Sequence, residues 1–497
     1  MATAARFVRS LTQPPVLTRV LIGVAAVVVL VQGYRAVFVR TNDYNVHLEY
    51  GRFFLEGEPF KSDGATAFYP LGRLWMNASF ASIEYYTGRA LCYVAAIVSL
   101  GVTLRMWGEL AARAVPMAAN KRTAAIGWTV AVLLPFIIRD LDECGLQLLL
   151  LFFLTSAGYA FAHGWKRLSG FWLGFAIVYK AAPLLFLPLL IWKREWRAAG
   201  WTIVFTIVLS TLPATYLGWQ ETVAAQRTWF SRAAGILRNQ QAYPSAPGIE
   251  QPKPQNVSLK ALIARYLRTY PPGHSLHVDH PLFFQFGRMS ERVAAATVMG
   301  VVLALGAVIA WRMRRPWETP LANADFAPEW AVACLFVAIM SPLCWRQHLV
   351  MALPCAYLVA RERLSATASN GWRKWVPVFA AIPILFFHRE VIGRDLAHVL
   401  LTYKFDTMAV LSYALLALTL PNATAAMIAK VSPPVSAPTM KAARQSLWTV
   451  SPTPTPCAER CAFAESASIA RLLGGRYGDV AACFDRRRHV PSAPDTS

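Results

Sequence analysis

Long apolar runs recur along most of this chain, and they constrain its fold more than any other feature. Residues 20–31 read VLIGVAAVVVLV, and comparable runs follow until residue 420. A run of about 20 apolar residues can cross a lipid bilayer as a helix. We predict spans near 17–38, 88–112, 123–138, 143–162, 198–218, 287–311, 326–340, 344–361, 374–388 and 398–420. The sequence therefore predicts an all-α, polytopic integral membrane protein with about ten spans. For the first run, a cleaved signal peptide is the alternative.

The composition agrees with a chain that lies in a lipid bilayer. Of its residues, 56% are hydrophobic and 15% are charged, whereas a soluble chain carries about a quarter charged residues. The net charge of +22 is typical of Lys and Arg in cytoplasmic loops, so no nucleic-acid partner is expected. Cys92, Cys334 and Cys355 lie inside apolar runs and are interpreted as small core residues. Cys457 and Cys461 lack nearby His or Cys partners, so they do not predict a metal site.

The short loops set the predicted orientation. Arg6, Arg9 and Arg19 precede the first span, so the N-terminus is expected in the cytoplasm, where Lys and Arg accumulate. Counting spans from there places the basic loops 113–122 and 163–168 in the cytoplasm as well.

Residues 168–192 decide the orientation of everything that follows. If they formed one span, three basic loops would lie outside, against the rule: 193–197, 312–316 and 361–374. Two half-helices broken near Lys180 and Pro183 would instead enter and leave on the cytoplasmic side. A single kinked helix with a snorkelling lysine is the alternative. We predict the re-entrant pair, which leaves these segments on the external face: 39–87, 139–142, 219–286, 341–343 and 389–397.

The composition changes near residue 430. Residues 1–430 are predicted to form the polytopic membrane domain. Residues 431–497 contain Pro-, Ser- and Ala-rich stretches such as VSPPVSAPTM, which are typical of a disordered tail, here on the cytoplasmic side.

Asp43 is the first acidic residue and begins a predicted amphipathic helix on the external face. Val46, Tyr50 and the pair Phe53–Phe54 share one side of it, and Gly57 suits its end. Such a helix would lie in the membrane interface. Asp43 is well placed as an N-cap, and a catalytic carboxylate is the second interpretation.

Two further external segments carry basic residues. Residues 256–269 predict an amphipathic helix in which Arg265 lies off the apolar stripe with Lys260 and Arg268. The stretch SPLCWRQHL, residues 341–349, places Arg346 and His348 beside a tryptophan. These cations are either solvated interface residues or contacts for a lipid phosphate.

Five pieces of sequence, in this order, resemble a known family. They are Asp43-Tyr44 after the first span, Gly57 with Tyr69-Pro70, GFAIVYKAAPLLFLPLLIWKREWR around Lys180, QNVSLKALIARYL, and SPLCWRQH. Together they cover about residues 40–350 and resemble the GT-C membrane glycosyltransferases, within them glycosyltransferase family 87. Residues 139–147 (RDLDECGLQ) depart from a Gly-Gln-x-Asn-like element that the family often has there.

The resemblance implies a GT-C-like helix bundle and a hexosyltransferase that uses a polyprenyl-phosphate sugar, with mannose favoured. It also implies that Asp43 is the catalytic base. From their charge, we expect four residues to hold the donor phosphate: Lys180, Arg265, Arg346 and His348. Asp140, Asp142 and Tyr69 are further candidates for the site.

The predicted function is transfer of a sugar to a glycolipid or glycan acceptor at the external face of a bacterial plasma membrane. We expect neither a metal nor a cofactor. A transporter or flippase for a lipid-linked sugar is the alternative, although we find no internal repeat of the kind that transporters often carry. A structural scaffold would not require two elaborate external segments. A cavity joining Asp43, Arg265, Arg346 and His348 is expected for the enzyme.

Overall fold

The computed structural model describes residues 23, 26–39, 43–60, 69–238, 255–270, 284–317, 323–365 and 371–420. It is 81% helical, and the predicted all-α polytopic membrane fold is confirmed. The predicted tail at 431–497, together with Cys457 and Cys461, lies outside the described residues.

The first half of the chain forms eleven labelled helices. They are α1 (Ala26–Val39), α2 (Tyr44–Leu55), α3 (Leu71–Ala81), α4 (Tyr85–Ala114), α5 (Ala119–Glu143), α6 (Gln147–Ala162), α7 (Lys166–Tyr179), α8 (Phe186–Trp192), α9 (Trp196–Thr211), α10 (Ala214–Leu217) and α11 (Trp219–Arg238). A 3-10 helix, Ala182–Leu185, precedes α8.

The second half is also helical. It contains α12 (Leu259–Leu267), α13 (Glu291–Arg312), α14 (Phe326–Ile339), α15 (Leu353–Leu364), α16 (Trp372–Phe386), α17 (Arg389–Ile392), α18 (Arg394–Thr402) and α19 (Phe405–Leu418). A second 3-10 helix, Arg346–Ala352, precedes α15.

The loops predicted in the cytoplasm meet at one end of the bundle, which we call the basic end. Side-chain contacts link these loops to one another. Two are ion pairs, Lys166 with Glu195 and Arg373 with Glu362. The others are hydrogen bonds to backbone carbonyls: Lys193 to Arg315, Arg312 to Leu418, Arg373 to Leu416, and Arg361 to Val115. The predicted external segments meet at the opposite end, which we call the Asp43 end.

Residues 166–195 form a hairpin rather than a span. The ammonium of Lys166, at the start of α7, lies 2.9 Å from the carboxylate of Glu195, just after α8. The chain leaves helical geometry at Lys180, whose φ and ψ are −154° and 130°. At 1.5 Å per residue, α7 rises about 21 Å before the chain returns. The predicted re-entrant pair is confirmed in its geometry, and a single kinked helix is wrong.

The helix after the hairpin confirms this path. A Cβ added to Gly170 would meet Trp201 and Thr202, and one added to Gly174 would meet Phe205. The contacts advance in the same direction along both helices, so α7 and α9 are parallel. Because glycine lets the two backbones approach closely, these positions fix the packing of the hairpin against α9.

Only some of the predicted spans are long apolar helices. Among the described residues, four meet the length and hydropathy of a span: Tyr85–Ala112, Lys121–Glu143, Trp196–Leu217 and Glu291–Arg312. By contrast α14 has 14 residues, about 21 Å, and all of them are buried. Protein therefore surrounds this helix, and it does not need the length of a lipid-exposed span.

Two predicted spans are broken. The span predicted at 344–361 begins as the 3-10 helix Arg346–Ala352 and becomes α-helical at Leu353. The span predicted at 398–420 is bent by 55° between α18 and α19, where Lys404 has a φ of 61°. Both breaks place polar side chains at the Asp43 end, where irregular backbone is shielded by the surrounding protein.

Candidate functional site

A strained loop between α5 and α6 forms the base of the site. Cys144 and Leu146 have left-handed φ values of 48° and 54°, each costing about 1–2 kcal/mol for a residue with a Cβ. Asp140 holds the loop closed, because its Oδ1 accepts from the amide of Gln147 at 3.0 Å and its Oδ2 from that of Leu148 at 2.9 Å. A Cβ at Gly145 would lie 2.5 Å from Asp140 Oδ1, so only glycine fits there. Asp140 thus caps the N-terminus of α6.

Asp43 is docked directly onto this loop. Its amide donates to the carbonyl of Glu143 at 3.0 Å. Asp43 occupies the N-cap position of α2, as predicted, but its side chain makes no capping hydrogen bond. The side chain of Gln347 instead lies close enough to the carboxylate to lower its pKa, and Lys180 lies within electrostatic range. The prediction of side-chain capping is therefore wrong.

The surroundings of Asp43 alter its proton affinity. Burial, together with the nearby charge of Glu143, raises the pKa of the Asp43 carboxyl to about 6. The carboxylate is still the main form at pH 7, yet it is a stronger base than an exposed aspartate. A base with a pKa near the working pH is suited to accepting a proton during catalysis.

Lys180 and His348 meet beside Asp43. The Lys180 ammonium donates to Gln147 Oε1 at 3.1 Å and lies 3.4 Å from His348 Nε2. The Trp345 amide donates to His348 Nδ1 at 3.2 Å, so the proton of the neutral ring is assigned to Nε2. Lys180 and His348 therefore present N–H donors to the same small volume, which favours an anion there.

Arg73 is a cation of this site that sequence reasoning missed. Its side chain is 2% exposed, and its guanidinium carbon lies 3.8 Å from the centroid of the Tyr179 ring. It also contacts His47, whose Nε2 lies 3.4 Å from Arg73 Nη2. The signal in the sequence was a single arginine within the apolar stretch LGRLW, directly after Tyr69-Pro70. Gln147 and Gln347 were likewise missed.

The four predicted phosphate ligands do not form one cluster. Lys180 and His348 lie beside Asp43, whereas Arg346 is held by Asp406 through two contacts, Nε to Oδ2 at 2.7 Å and Nη2 to Oδ1 at 3.3 Å. Arg265 donates to the carbonyl of Phe284 at 3.1 Å. Arg346 directly precedes Gln347 in the chain, but their side chains point to different partners. The Arg346 guanidinium contacts Asp406, whereas the Gln347 amide lies near Asp43.

Arg265 differs from its prediction in a second way. It was placed off the apolar stripe of its helix, but it is fully buried, with the Tyr403 ring centroid 4.9 Å from its guanidinium carbon. The half-exposed side of α12 carries the bulky apolar residues instead, among them Leu262 and Ile263. The solvated interpretation of Arg265 is therefore wrong.

The remaining candidates have different surroundings. Asp142 accepts a hydrogen bond from Gln32 and lies 3.9 Å from Arg35, so it joins α5 to α1. Although Asp140 and Asp142 have Asp-x-Asp spacing, their carboxylates therefore engage different partners. The centroid of the Tyr69 ring lies 5.8 Å from that of the Tyr50 ring. Burial is the main cause that raises the pKa of Tyr69, and the negative charge of Asp43 raises it further.

The two leading cavities do not join the predicted residues. One cavity of about 180 Å³ is lined by Trp128, Trp375 and Lys374, among others. A second, of about 10 Å³, lies beside Arg312, Asp325 and Glu329. Neither is lined by Asp43, Arg265, Arg346 or His348.

Comparison with known proteins gives one family. The family model described as Glycosyltransferase family 87 matches residues 67–342, more than half of the chain. Tyr69, Arg73, Asp140, Lys180 and Arg265 fall inside the matched range, and Asp43, Arg346 and His348 fall outside it. Searches of curated proteins and of solved structures returned no match.

Proposed function

Since this chain belongs to glycosyltransferase family 87 and is a membrane glycosyltransferase, we propose that it transfers a hexose, with mannose as the first choice, from a polyprenyl-phosphate donor. The acceptor is a hydroxyl of a glycolipid or glycan. The active site is the Asp43 end, and it opens to the external face of a bacterial plasma membrane. The transporter alternative is set aside because the family membership identifies a transferase.

The observation that carries the proposal is the position of the Asp43 carboxylate. It is not used to cap α2, burial raises its pKa to about 6, and it lies near Lys180. The set therefore combines a base with N–H donors for an anion, which are the two elements that transfer from a phosphorylated lipid requires.

The residues would act as follows. Asp43 accepts the proton of the acceptor hydroxyl while the hydroxyl oxygen bonds to the anomeric carbon of the sugar. The bond from that carbon to the phosphate oxygen breaks, and its electron pair leaves with polyprenyl phosphate. Because attack and departure occur on opposite faces of the carbon, the anomeric configuration inverts. The leaving phosphate gains negative charge, which Lys180 and His348 stabilise.

Asp140 and Arg346 take supporting roles in this proposal. Asp140 fixes the loop onto which Asp43 is docked, and Gln147, the first residue of α6, accepts a hydrogen bond from Lys180 and so orients it. Arg346, through Asp406, holds α19 beside the 3-10 helix that carries Gln347 and His348. A direct contact of Arg265 or Arg346 with the donor phosphate stays a prediction.

A transfer assay tests the function. Membranes containing the full chain are given polyprenyl-phosphate sugars labelled in mannose, glucose or arabinose, and the labelled products are identified. We expect transfer from the mannose donor, which membranes with the Asp43→Asn variant at equal expression lack. No labelled product from any of the three donors would contradict the proposal.

A further inference from the structure

Arg73 is a buried cation with at least one unused donor. It lies on α3, and among the described residues no carboxylate lies within ion-pair distance of it. Its Nε has no hydrogen-bond partner. A buried guanidinium without an anionic partner is strongly unfavourable, because the charge has lost its water. The stacking on Tyr179 offsets only part of this cost.

His47 does not complete the coordination of Arg73. Its Nε2 lies 3.4 Å from Arg73 Nη2 and 3.2 Å from the carbonyl oxygen of Cys144. One ring nitrogen cannot accept from the guanidinium and also donate to the carbonyl. Burial lowers the pKa of His47 to about 3, so the ring is neutral and brings no negative charge. Arg73 gains at most one weak hydrogen bond there.

Arg73 lies in the vicinity of the other cations. Tyr179, on which Arg73 stacks, directly precedes Lys180, and the two cations are within electrostatic range. Lys180 in turn contacts the Nε2 atom of His348. Arg73 on α3, Lys180 at the break of the hairpin and His348 on the second 3-10 helix thus lie around one region. The carboxylates of Asp140 and Asp43 act on Lys180, whereas neither is within ion-pair distance of Arg73.

We propose that Arg73, together with Lys180 and the Nε2–H of His348, binds the phosphate of the polyprenyl donor. This assignment rests on the proposed function for the identity of the anion. In it, Arg73 supplies the planar donor group and Lys180 a point charge. The phosphate of the donor carries one negative charge, whereas the departing polyprenyl phosphate carries up to two. Arg73 and Lys180 therefore bind the leaving polyprenyl phosphate more strongly than they bind the donor.

A binding experiment separates this role from simple packing. Purified full-length protein in detergent is titrated with polyprenyl phosphate and with the neutral polyprenol of the same chain length. The ratio of the two affinities measures phosphate recognition alone, since the lipid chain is common to both. We compare the wild type with Arg73→Gln, Arg73→Lys and Arg361→Gln. Arg361 is a matched control, because it is buried at the basic end and donates to the carbonyl of Val115.

We expect the wild type to prefer polyprenyl phosphate, and Arg73→Gln to lose about tenfold or more of that preference. Arg73→Lys should keep part of it, because the charge remains. Arg361→Gln should keep it fully, even if the protein becomes less stable. The proposal is overturned if Arg73→Gln weakens both lipids equally, which indicates packing, or leaves the preference unchanged.

The transfer assay keeps the two proposals distinguishable. Transfer by the wild type together with an unchanged preference in Arg73→Gln removes only the role of Arg73. Absence of transfer together with a lost preference removes the proposed donor reaction but retains a phosphate-lipid site at Arg73.

Discussion

The carboxylate of Asp43 interacts with the side chain of Gln347 rather than with the backbone of α2, although Asp43 occupies the N-cap position of that helix. Two segments that lie slightly more than 300 residues apart in the sequence therefore meet at this carboxyl group. A helix cap needs only local contacts, so this long-range contact separates the structural from the catalytic interpretation of Asp43.

The first prediction concerns Asp43→Asn. Asparagine keeps the size and the hydrogen-bonding capacity of the side chain but cannot accept a proton at neutral pH. We expect kcat to fall by about 100-fold or more, because general-base catalysis contributes about that much. The melting temperature should change little. Both are measured on purified protein with the polyprenyl-phosphate sugar that supports transfer.

Glu49→Gln is the control for this variant. Glu49 lies on the same helix but is exposed, so its loss should leave kcat unchanged. An Asp43→Asn variant with normal kcat would show that the carboxylate is not the base.

The second prediction is a pH dependence. Burial raises the pKa of Asp43 to about 6, and only the deprotonated form accepts a proton. The value of kcat/KM should therefore rise about tenfold per pH unit below pH 6 and level off above it. Initial rates between pH 4.5 and pH 8 measure this limb. A profile that is flat across pH 5–7 would contradict the role of Asp43.

The third prediction separates Asp140 from Asp43. Both oxygens of Asp140 accept amides from the first turn of α6, so Asp140→Ala should cost at least about 1–2 kcal/mol of stability, as for other N-caps. Asp140→Asn retains one acceptor and should cost less. Thermal unfolding in detergent compares the two variants. Equal activity loss at unchanged stability in both would instead place Asp140 in the chemistry.

The hairpin was predictable from the sequence because it depends on local charge. Basic residues flank residues 168–192 on both sides, and together with the later basic loops they indicated a hairpin. The contact of Lys166 with Glu195 confirms it. The break near Lys180 was equally visible, since Pro183 restricts the residue before it.

The burial of Arg265 and Arg73 was not predictable by the same rules. On α12 we assigned the basic residues, Arg265 among them, to a solvated side of an interfacial helix. At a membrane, bulky apolar residues can face lipid while small and polar residues pack against protein, as Ala261, Ala264 and Arg265 do here. The contact of Asp43 with Gln347 was also out of reach, because pairing of distant segments depends on the tertiary fold.

The fourth prediction concerns Arg346 and Asp406. Removing Arg346 leaves the Asp406 carboxylate buried without its bidentate partner, so Arg346→Ala should lower stability by about 3–5 kcal/mol. The double variant Arg346→Met, Asp406→Leu should recover much of this loss. Thermal unfolding of Arg346→Met, of Asp406→Leu and of the double variant measures the coupling. If Arg346→Ala instead raises the donor KM with unchanged stability, Arg346 binds the phosphate directly.

The last prediction is the topology of the hairpin. The structure places both of its ends at the basic end, and the excess of Lys and Arg there predicts that this end faces the cytoplasm. Single cysteines are introduced at Trp165, Arg197 and Trp219 in a chain whose eight native cysteines are replaced. Trp165 and Arg197 flank the hairpin, Trp219 follows α9, and all three side chains are exposed. With a membrane-impermeant thiol reagent, positions 165 and 197 should react only after permeabilisation, whereas position 219 should react in intact cells. The cysteine-free parent must retain transferase activity for the result to apply. Labelling of 197 in intact cells, with 165 and 219 both protected, would contradict the hairpin.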